Sequence, residues 1–179
     1  MKPNMNHYQR AKIFLIVVLI SSANFLFAQY TAKIEYWENG KKKSSMPYRN
    51  GIREGMSKTW FEDGKLQSRV EYLEDKPNGT SIRWYPNGNI EVKGKNRDDK
   101  KFGEWTWYYK NGNTRQIAHY NEKGEHGKWT WWRENGIIEM EGEYFYGKKS
   151  GTWKYYDEGG TLKKEETYQN GKLMDTKNY

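Results

Sequence analysis

Hydrophobic and polar residues alternate along most of the chain, and turn residues interrupt this alternation about every 12 positions. Between Ile138 and Tyr144, for example, Ile, Met, Gly and Tyr are separated by single glutamates. A period of two is that of a β-strand whose two faces meet different surroundings. Short turn sequences such as Pro86-Asn87-Gly88 close pairs of these segments, which predicts β-hairpins. The pattern favours an all-β chain and gives little support for helix.

The predicted hairpins recur at a fixed interval. The segment Gly103–Gly112, GEWTWYYKNG, returns at Gly127–Gly136 and Gly151–Gly160, and weaker copies precede it. The glycines that close the unit fall 24 residues apart, at positions 40, 64, 88, 112, 136 and 160. A fixed period of this size indicates stacked copies of one supersecondary unit. We therefore expect residues 29–179 to form an elongated antiparallel meander of about six 24-residue hairpin repeats.

The turn that closes each unit has a predictable geometry. Pro86 fixes its φ near −65°, which suits the second position of a type I turn and excludes a type I′ turn there. Asn87 followed by Gly88 in the left-handed region then predicts a type I turn with a G1 bulge. In the strand that follows each turn, strict alternation predicts that Leu66 shares a face with Val70, as Ile138 does with Gly142.

The first strand of the unit is aromatic on both faces in the C-terminal repeats. One face is predicted to carry Trp60, Trp84, Tyr108, Trp132 and Tyr156. The other face carries the candidate binding residues Trp105, Trp107, Trp129, Trp131, Trp153 and Tyr155. Two interpretations of this second face stay open. It is either the core of a sheet that curls or stacks on itself, or an exposed ladder that binds sugars, a peptide strand or quaternary ammonium groups.

Composition supports an unusual core. Aromatic residues make up 17% of the chain, and few Leu, Ile or Val residues follow position 28. Since one Trp or Tyr can bury about 150–250 Å², aromatic side chains can replace an aliphatic core. There is no cysteine, so neither a disulfide nor a lipoprotein attachment site is expected.

The N-terminus has the pattern of a secretory signal peptide. Lys2, Arg10 and Lys12 precede an apolar run, Ile13–Ile20, which is followed by small residues. We predict cleavage after Ala28 and export to the periplasm or the exterior. An uncleaved anchor is the alternative, although residues 13–28 fall short of the roughly 20 apolar residues that a spanning helix requires.

Charge and side-chain chemistry indicate a non-enzymatic protein. The chain carries a formal charge of +8, and most of this surplus is spread thinly, so no nucleic-acid partner is expected. Lys41–Lys43 and Lys100–Lys101 are interpreted as solvated hairpin tips, with lipid headgroups as a weaker alternative. The acidic series Glu139, Glu141 and Glu143 is expected to form cross-strand ion pairs along one face, with Lys163 and Arg115 as neighbours. No residue pattern indicates a catalytic site, a metal site or a cofactor.

These columns resemble the MORN repeat variant, the repeat of the YwqK family of toxin–antitoxin antitoxins. The resemblance covers about residues 34–175. It rests on columns represented in one unit by Gly127, Trp129, Trp132, Asn135, Gly136, Ile138, Glu141, Tyr144, Gly147 and Lys148. It implies a β-hairpin array used for interaction, with a protein as partner. Together with the signal peptide, it suggests an antitoxin-like or immunity-like role against an exported effector. Binding of a carbohydrate or another cell-envelope component through the aromatic face is the alternative.

Overall fold

The computed structural model describes residues 14–17 and 28–179. Within these residues all regular elements are β-strands, and 16 strands form one sheet. The strands are β1 Phe14–Val17, β2 Tyr30–Tyr36, β3 Lys42–Arg49, β4 Ile52–Arg53, β5 Gly55–Trp60, β6 Leu66–Leu73, β7 Lys76–Trp84, β8 Ile90–Arg97, β9 Lys100–Tyr108, β10 Thr114–Asn121, β11 Gly124–Glu125, β12 Gly127–Trp132, β13 Ile138–Phe145, β14 Lys148–Tyr156, β15 Leu162–Gln169 and β16 Lys172–Asn178.

The order of strands in the sheet follows their order in the chain, and every pairing is antiparallel. The two-residue strands β4 and β11 lie beside this path, paired with β3 and β10. Six hairpins result, β2–β3, β5–β6, β7–β8, β9–β10, β12–β13 and β14–β15. The predicted all-β meander is therefore confirmed. Its first strand, β1, pairs with residues Thr31–Ile34 of β2.

The predicted signal peptide, residues 1–28, falls mostly outside the described residues, which there include only Phe14–Val17 and Ala28. Its cleavage stays a prediction. In the part of the chain that the structure describes, no helix has the length and apolar character needed to cross a membrane.

The closing turns have the predicted geometry. The Gly88 amide donates to the Tyr85 carbonyl at 2.9 Å, and the Tyr85 amide donates to the Asn89 carbonyl at 2.9 Å. Gly88 has a φ of +93°, whereas Pro86 and Asn87 are outside the left-handed region. This is the arrangement of a type I turn with a G1 bulge. The same pair of bonds recurs at the turns that contain Gly40, Gly64, Gly112, Gly136 and Gly160.

A second bulge follows each of these turns and corrects the predicted faces. Thr59 pairs with Ser68 and Trp60 pairs with Leu66, so Gln67 is an extra residue. Because the bulge adds a residue, strict alternation fails there, and Leu66 lies beside Trp60 on the face opposite Val70. The prediction that Leu66 shares a face with Val70 was wrong. The same shift affects its counterparts, Ile90, Ile138 and Leu162.

Neighbouring repeats are joined by hydrogen bonds at both ends of their strands. At the closing turns, the Asn87 side-chain amide donates to the Lys110 carbonyl at 2.7 Å, and that of Asn111 donates to the Glu134 carbonyl at 3.2 Å. At the other end, the Asp99 amide donates to the Pro77 carbonyl at 3.0 Å. Each repeat thus contacts its immediate neighbours, the arrangement expected of a repeat array.

The core is aromatic, as the composition predicts. The buried hydrophobic residues among those described are Val92, Trp105, Ala118, Trp129 and Trp153. Tryptophan supplies most of their apolar surface, and the aliphatic members, Val92 and Ala118, are small. The core therefore lies on one side of a single layer of strands, where indole rings shield one another.

Candidate functional site

Three tryptophans form a row across one side of the sheet, which we call the tryptophan face. Trp105 and Trp129 are 7% exposed, and Trp153 is 1% exposed. Each indole reaches over the preceding strand and donates its N–H to a backbone carbonyl. The N–O distances are 2.8 Å to Lys95, 3.1 Å to His119 and 3.2 Å to Glu143. Because a buried indole N–H needs an acceptor, these bonds fix the position of each ring.

Small residues in the preceding strands make room for the rings. An added Cβ at Gly94 would lie 2.3 Å from Cδ2 of Trp105, and one at Gly142 would lie 2.3 Å from Cδ2 of Trp153. Ala118, the counterpart one repeat after Gly94, is fully buried. The row therefore alternates between tryptophan and a small residue. The signal is present in the sequence, where positions 94, 118 and 142 hold Gly, Ala and Gly at the repeat interval.

Tyrosines at the ends of the second strands extend the cluster. The ring centroid of Tyr144 lies 4.8 Å from that of Trp129 and 5.1 Å from that of Trp153. Tyr120 packs edge-on against Trp129 at 5.3 Å, and burial raises the pKa of its hydroxyl to about 12. Each of these tyrosines pairs with an opening glycine, as Tyr144 does with Gly127.

The outer row of the predicted site is only half-buried. Trp107, Trp131 and Tyr155 lie one step closer to the closing turns than the inner tryptophans. Gln116 pairs with both Trp107 and Trp131, so an amide lies between two indoles at the same level. The Trp131 centroid is 5.5 Å from that of Trp129 and 5.7 Å from that of Trp153.

The structure thus places all six predicted residues on one face but in two environments. The inner tryptophans are buried, as expected of a core face, but within one sheet of strands. Binding of a ligand by the outer row stays a prediction. In the N-terminal repeats Ser57 and Ser81 replace the inner tryptophans, and the same face there contains a hollow of about 410 Å³. Its lining includes Thr59, Ser68, Val70, Ser81, Val92 and Trp105.

Two lysines lean over the aromatic cluster. The Lys101 Nζ lies 4.6 Å from the ring centroid of Trp107 and 5.0 Å from that of Trp105, within the range of a cation–π contact. Lys149 lies 4.1 Å from Trp153 in the same way. Burial lowers the pKa of both ammonium groups. Lys101 lies at the start of β9, directly after the Asp98-Asp99 turn, and is exposed as the interpretation of a solvated tip predicts, while its Nζ also contacts the two rings.

A carboxylate ends the row at its C-terminal side. Glu166 occupies the column of the small residues, and its oxygens accept hydrogen bonds from Lys164 at 2.7 Å, Tyr155 at 2.7 Å and Tyr168 at 2.8 Å. These bonds, with that from Lys164 the largest influence, hold the pKa of Glu166 at about 2. Burial and the bond to Glu166 raise the pKa of Tyr155 above its ordinary range.

The opposite face carries a second aromatic row and the cross-strand ion pairs Lys128–Glu141 and Lys154–Glu165. Its half-buried aromatic residues are those predicted, Trp60, Trp84, Tyr108, Trp132 and Tyr156. Glu141 binds Lys128 at 2.8 Å, and Glu139 binds Arg133 at 2.8 Å. Ion pairing is confirmed for Glu139 and Glu141, but Glu143 has no ion pair within 4.0 Å among the described residues, and the partners are not Lys163 and Arg115. The bulge at Glu139 directs it toward the tryptophan face, so the three glutamates do not share one face.

The described residues contain no cluster of three or more His, Asp or Glu side chains that could hold a metal ion. His119 instead lies beside Glu104 at 3.6 Å, and its Nδ1 lies 2.6 Å from the Lys128 carbonyl oxygen. These contacts are those of an ordinary histidine at a sheet surface.

Comparison with protein families explains the repeat. The family model of the MORN repeat variant matches six segments, 33–50, 53–74, 77–96, 103–122, 125–145 and 149–170. These segments make up most of the chain. The chain belongs to the MORN repeat variant family. No curated protein gives a significant match to it. The family match confirms the repeat part of the resemblance, whereas the YwqK antitoxin part finds no support.

MORN repeats are commonly modules that bind proteins or membranes. The array of this chain is compatible with such a role, and the family is not a known enzyme family. What a MORN array binds depends on the side chains that its strands present. The two faces described above are therefore the places to look for a partner.

Proposed function

We propose that this MORN array is an exported, non-enzymatic protein that binds another protein. The observation that supports it is the single layer of strands formed by the described residues, which carries a half-buried aromatic row on each face. Half-exposed Trp and Tyr side chains are typical anchors of protein interfaces, since they bury large apolar areas while the ring N–H or O–H finds a partner. The N-terminal pattern supports export.

The finer form of the proposal is an immunity-like role. In it the array binds and neutralises an exported or incoming effector protein, as its resemblance to antitoxins suggests. The role requires the mature chain outside the cytoplasm. N-terminal sequencing of the untagged protein should start at Gln29. Recovery of the protein only from cytosol, with residues 1–28 retained, would remove the basis of this role.

A photo-crosslinking experiment tests the binding itself. Benzoylphenylalanine is placed at Trp131 on the tryptophan face, at Tyr108 on the opposite face, or at Glu158 in an exposed turn as the control. Each protein is expressed with its leader, irradiated in cells and examined for crosslinked species. We expect one defined protein to crosslink from one of the two rows and not from Glu158. Absence of any row-specific protein product would contradict the proposal.

Glycan binding is the second candidate, and one observation favours it. The Trp107–Gln116–Trp131 arrangement combines two aromatic rings with an amide at one level of the sheet, the chemistry used to stack and hydrogen-bond sugar rings. Soluble sugars should then quench tryptophan emission of the wild type, and Trp131→Phe should reduce that response. Unchanged emission with all envelope sugars tested would leave protein binding as the better proposal.

A further inference from the structure

The opposite face has an unbalanced charge distribution that the aromatic rows do not explain. On four adjacent strands, β5 to β8, Lys58 pairs with Arg69, Arg69 with Ile82, and Ile82 with Lys93. Paired residues point to the same face, so three cations stand in one row. Since neighbouring strands are about 4.8 Å apart, the row spans roughly 14 Å. We call Lys58, Arg69 and Lys93 the cationic row.

No carboxylate neutralises this row among the described residues, where none of the three cations has an ion pair within 4.0 Å. The acids that flank the row on this face form no ion pair with it, although the Tyr108 hydroxyl and, more weakly, the charge of Glu104 raise the pKa of Lys93. Glu71 accepts the Thr80 amide at 3.0 Å, and Glu104 lies 3.6 Å from His119. The charges of the cationic row are therefore available to a partner.

At the equivalent positions of the C-terminal repeats, positive and negative side chains alternate. There Thr130, Glu141, Lys154 and Glu165 follow one another on adjacent strands. Glu141 binds Lys128 at 2.8 Å, and Lys154 lies 4.0 Å from Glu165. The same strand pairing thus carries ion pairs in the C-terminal half of the array and unpaired cations in the N-terminal half. The strand framework does not require the cationic row.

Arg69 provides an independent observation. Its Nε is shielded from water and has no hydrogen-bond partner in the described part of the chain. An unpaired buried donor is costly, and proteins usually avoid it. Arg69 as a whole is half-buried, so its Nε lies within the face and its terminal Nη groups are the atoms that a partner carboxylate would meet.

An apolar row lies directly beside the cations. Trp60, Leu66, Trp84, Ile90 and Tyr108 follow one another at the next level toward the closing turns, and all five are half-buried. Lys93 lies 5.6 Å from the Tyr108 ring centroid, which joins the two rows. A ligand that crosses the strands at this point would meet cations on one side and aromatic or aliphatic surface on the other.

We propose that the cationic row and the adjacent apolar row bind a short, extended, acidic segment of the partner protein, with carboxylates over the cations and apolar side chains over the rings. The proposal rests on the proposed function and names the chemistry of its partner. Charge complementarity favours this occupant over a membrane or a nucleic acid. Both of those extend beyond about 14 Å and would meet Glu141 and Glu165, whereas polybasic surfaces need about four to eight cations.

The first test uses the full chain and a defined probe, a fluorescent peptide in which Glu and Leu alternate. We expect salt-sensitive binding that weakens about tenfold in Lys58→Gln/Arg69→Gln/Lys93→Gln, because three attractive contacts are removed. The matched control, Lys128→Gln/Lys154→Gln, removes cations from the paired half of the same face and should change affinity less than about twofold. A peptide with Gln in place of Glu should not bind.

Each variant must keep the native fold, so its thermal unfolding midpoint is compared with that of the wild type. Arg69→Lys serves as a second variant, which keeps the charge and should lose only part of the affinity. Equal peptide binding by the triple variant and the wild type would overturn the proposal. So would row-dependent binding to phosphatidylserine vesicles without peptide binding, since the occupant would then be a membrane.

The crosslinking experiment of the previous section separates the two proposals. Benzoylphenylalanine is placed at the same position in the otherwise unchanged protein and in the triple variant. If both capture a protein equally, the proposed function stands and the cationic row is not its binding site. If the protein with an unchanged cationic row captures no protein from either aromatic row, the proposed function itself fails. Selective loss of capture in the triple variant, with the Lys128→Gln/Lys154→Gln control unchanged, supports both.

Discussion

Replacing Gly142 by alanine tests whether the tryptophan row depends on small residues beneath the indoles. Gly142 is outside the left-handed region, so its backbone conformation suits any residue. The new Cβ would lie 2.3 Å from Cδ2 and 2.5 Å from Cε2 of Trp153. Ordinary contacts between carbons are about 3.5–4.0 Å. The ring must therefore move by more than about 1 Å, or the strand must shift.

The surroundings of Trp153 determine the magnitude. Its N–H bond to the Glu143 carbonyl is 3.2 Å long, and Tyr144 packs on it with a centroid distance of 5.1 Å. Crowding in a packed core costs about 1–3 kcal/mol. Ala118 occupies the same column beneath Trp129, whose indole bond is kept at 3.1 Å, so the indole bond of Trp153 should survive a small shift. The lower conformational entropy of the unfolded alanine variant offsets about 0.4–1 kcal/mol. We therefore expect Gly142→Ala to destabilise the protein by about 1–2 kcal/mol.

Denaturant unfolding, followed by far-UV circular dichroism and tryptophan emission, measures this change. Gly159→Ala is the matched control, because Gly159 also lies outside the left-handed region and its added Cβ would meet only Asp157 Oδ1, at 3.4 Å. Adding Trp153→Phe to Gly142→Ala completes a double-mutant cycle, in which we expect a coupling of about 1 kcal/mol or more. An unchanged midpoint in Gly142→Ala, or no coupling in the cycle, would refute the reasoning.

Three other measurements follow from the same structure. Acrylamide should quench chiefly the half-buried tryptophans, so Phe substitutions that remove quenchable emission should be those at Trp60, Trp84 and Trp132 rather than at Trp105, Trp129 and Trp153. Glu166→Gln should destabilise the array by about 1–2 kcal/mol at neutral pH through its charge-assisted hydrogen bonds. Because the folded pKa of Glu166 lies below its unfolded value, the difference in unfolding free energy should shrink as the pH falls from about 4.5 toward 2. Gly112→Val should cost about 1–3 kcal/mol because φ there is +94°, whereas Asn111→Ala should cost less than about 1.5 kcal/mol.

Each of these has a contrary outcome. Red, easily quenched emission from the inner tryptophans would mean that the row is not core. A Glu166→Gln effect that persists at pH 2 would assign the loss to packing instead of charge. Equal midpoints for Gly112→Val and Asn111→Ala would contradict the left-handed conformation of the closing turn.

Most of the fold could be predicted because it is encoded in short-range patterns that repeat. Positive φ at Gly88, after Pro86 and Asn87, follows from the chemistry of three adjacent residues. The order of strands follows from a constant spacing of 24 with tight turns at both ends. Such features need no knowledge of distant parts of the chain, so the sequence is sufficient to predict them.

The bulge at Gln67 shows what could not be predicted. Strict alternation placed Leu66 with Val70, and one unpaired residue moved it to the other face. Whether a strand contains an extra residue depends on how two strands with different twist fit together. The partners of Glu139 and Glu141 were predicted incorrectly for the same reason. Charge partners depend on register, and register changes at the bulge.

The burial of the predicted binding face depends on small residues in the neighbouring strands, not on the aromatic residues themselves. The six aromatic residues occupy alternate positions of their own strands, and the sequence of those strands does not show which side chains are buried. The residues that decide this, Gly94, Ala118 and Gly142, stand in the preceding strands, where each admits an indole of the next repeat. The site could be placed on one face from the sequence, but its division into core and exposed rows required the packing.

The contrast between the two halves of the array indicates how its surfaces can diverge without loss of fold. The backbone ladder and the glycines of the turns occur in all six repeats, whereas the columns between them vary. In the C-terminal repeats those columns hold buried tryptophans and paired charges, such as Trp153 and the Lys128–Glu141 pair. In the N-terminal repeats the equivalent columns hold Ser57, Ser81 and the cationic row, which contribute less to the core. Stability in a repeat array adds up from neighbouring interfaces, so a well-packed C-terminal half can support an N-terminal half whose side chains contribute less to the core.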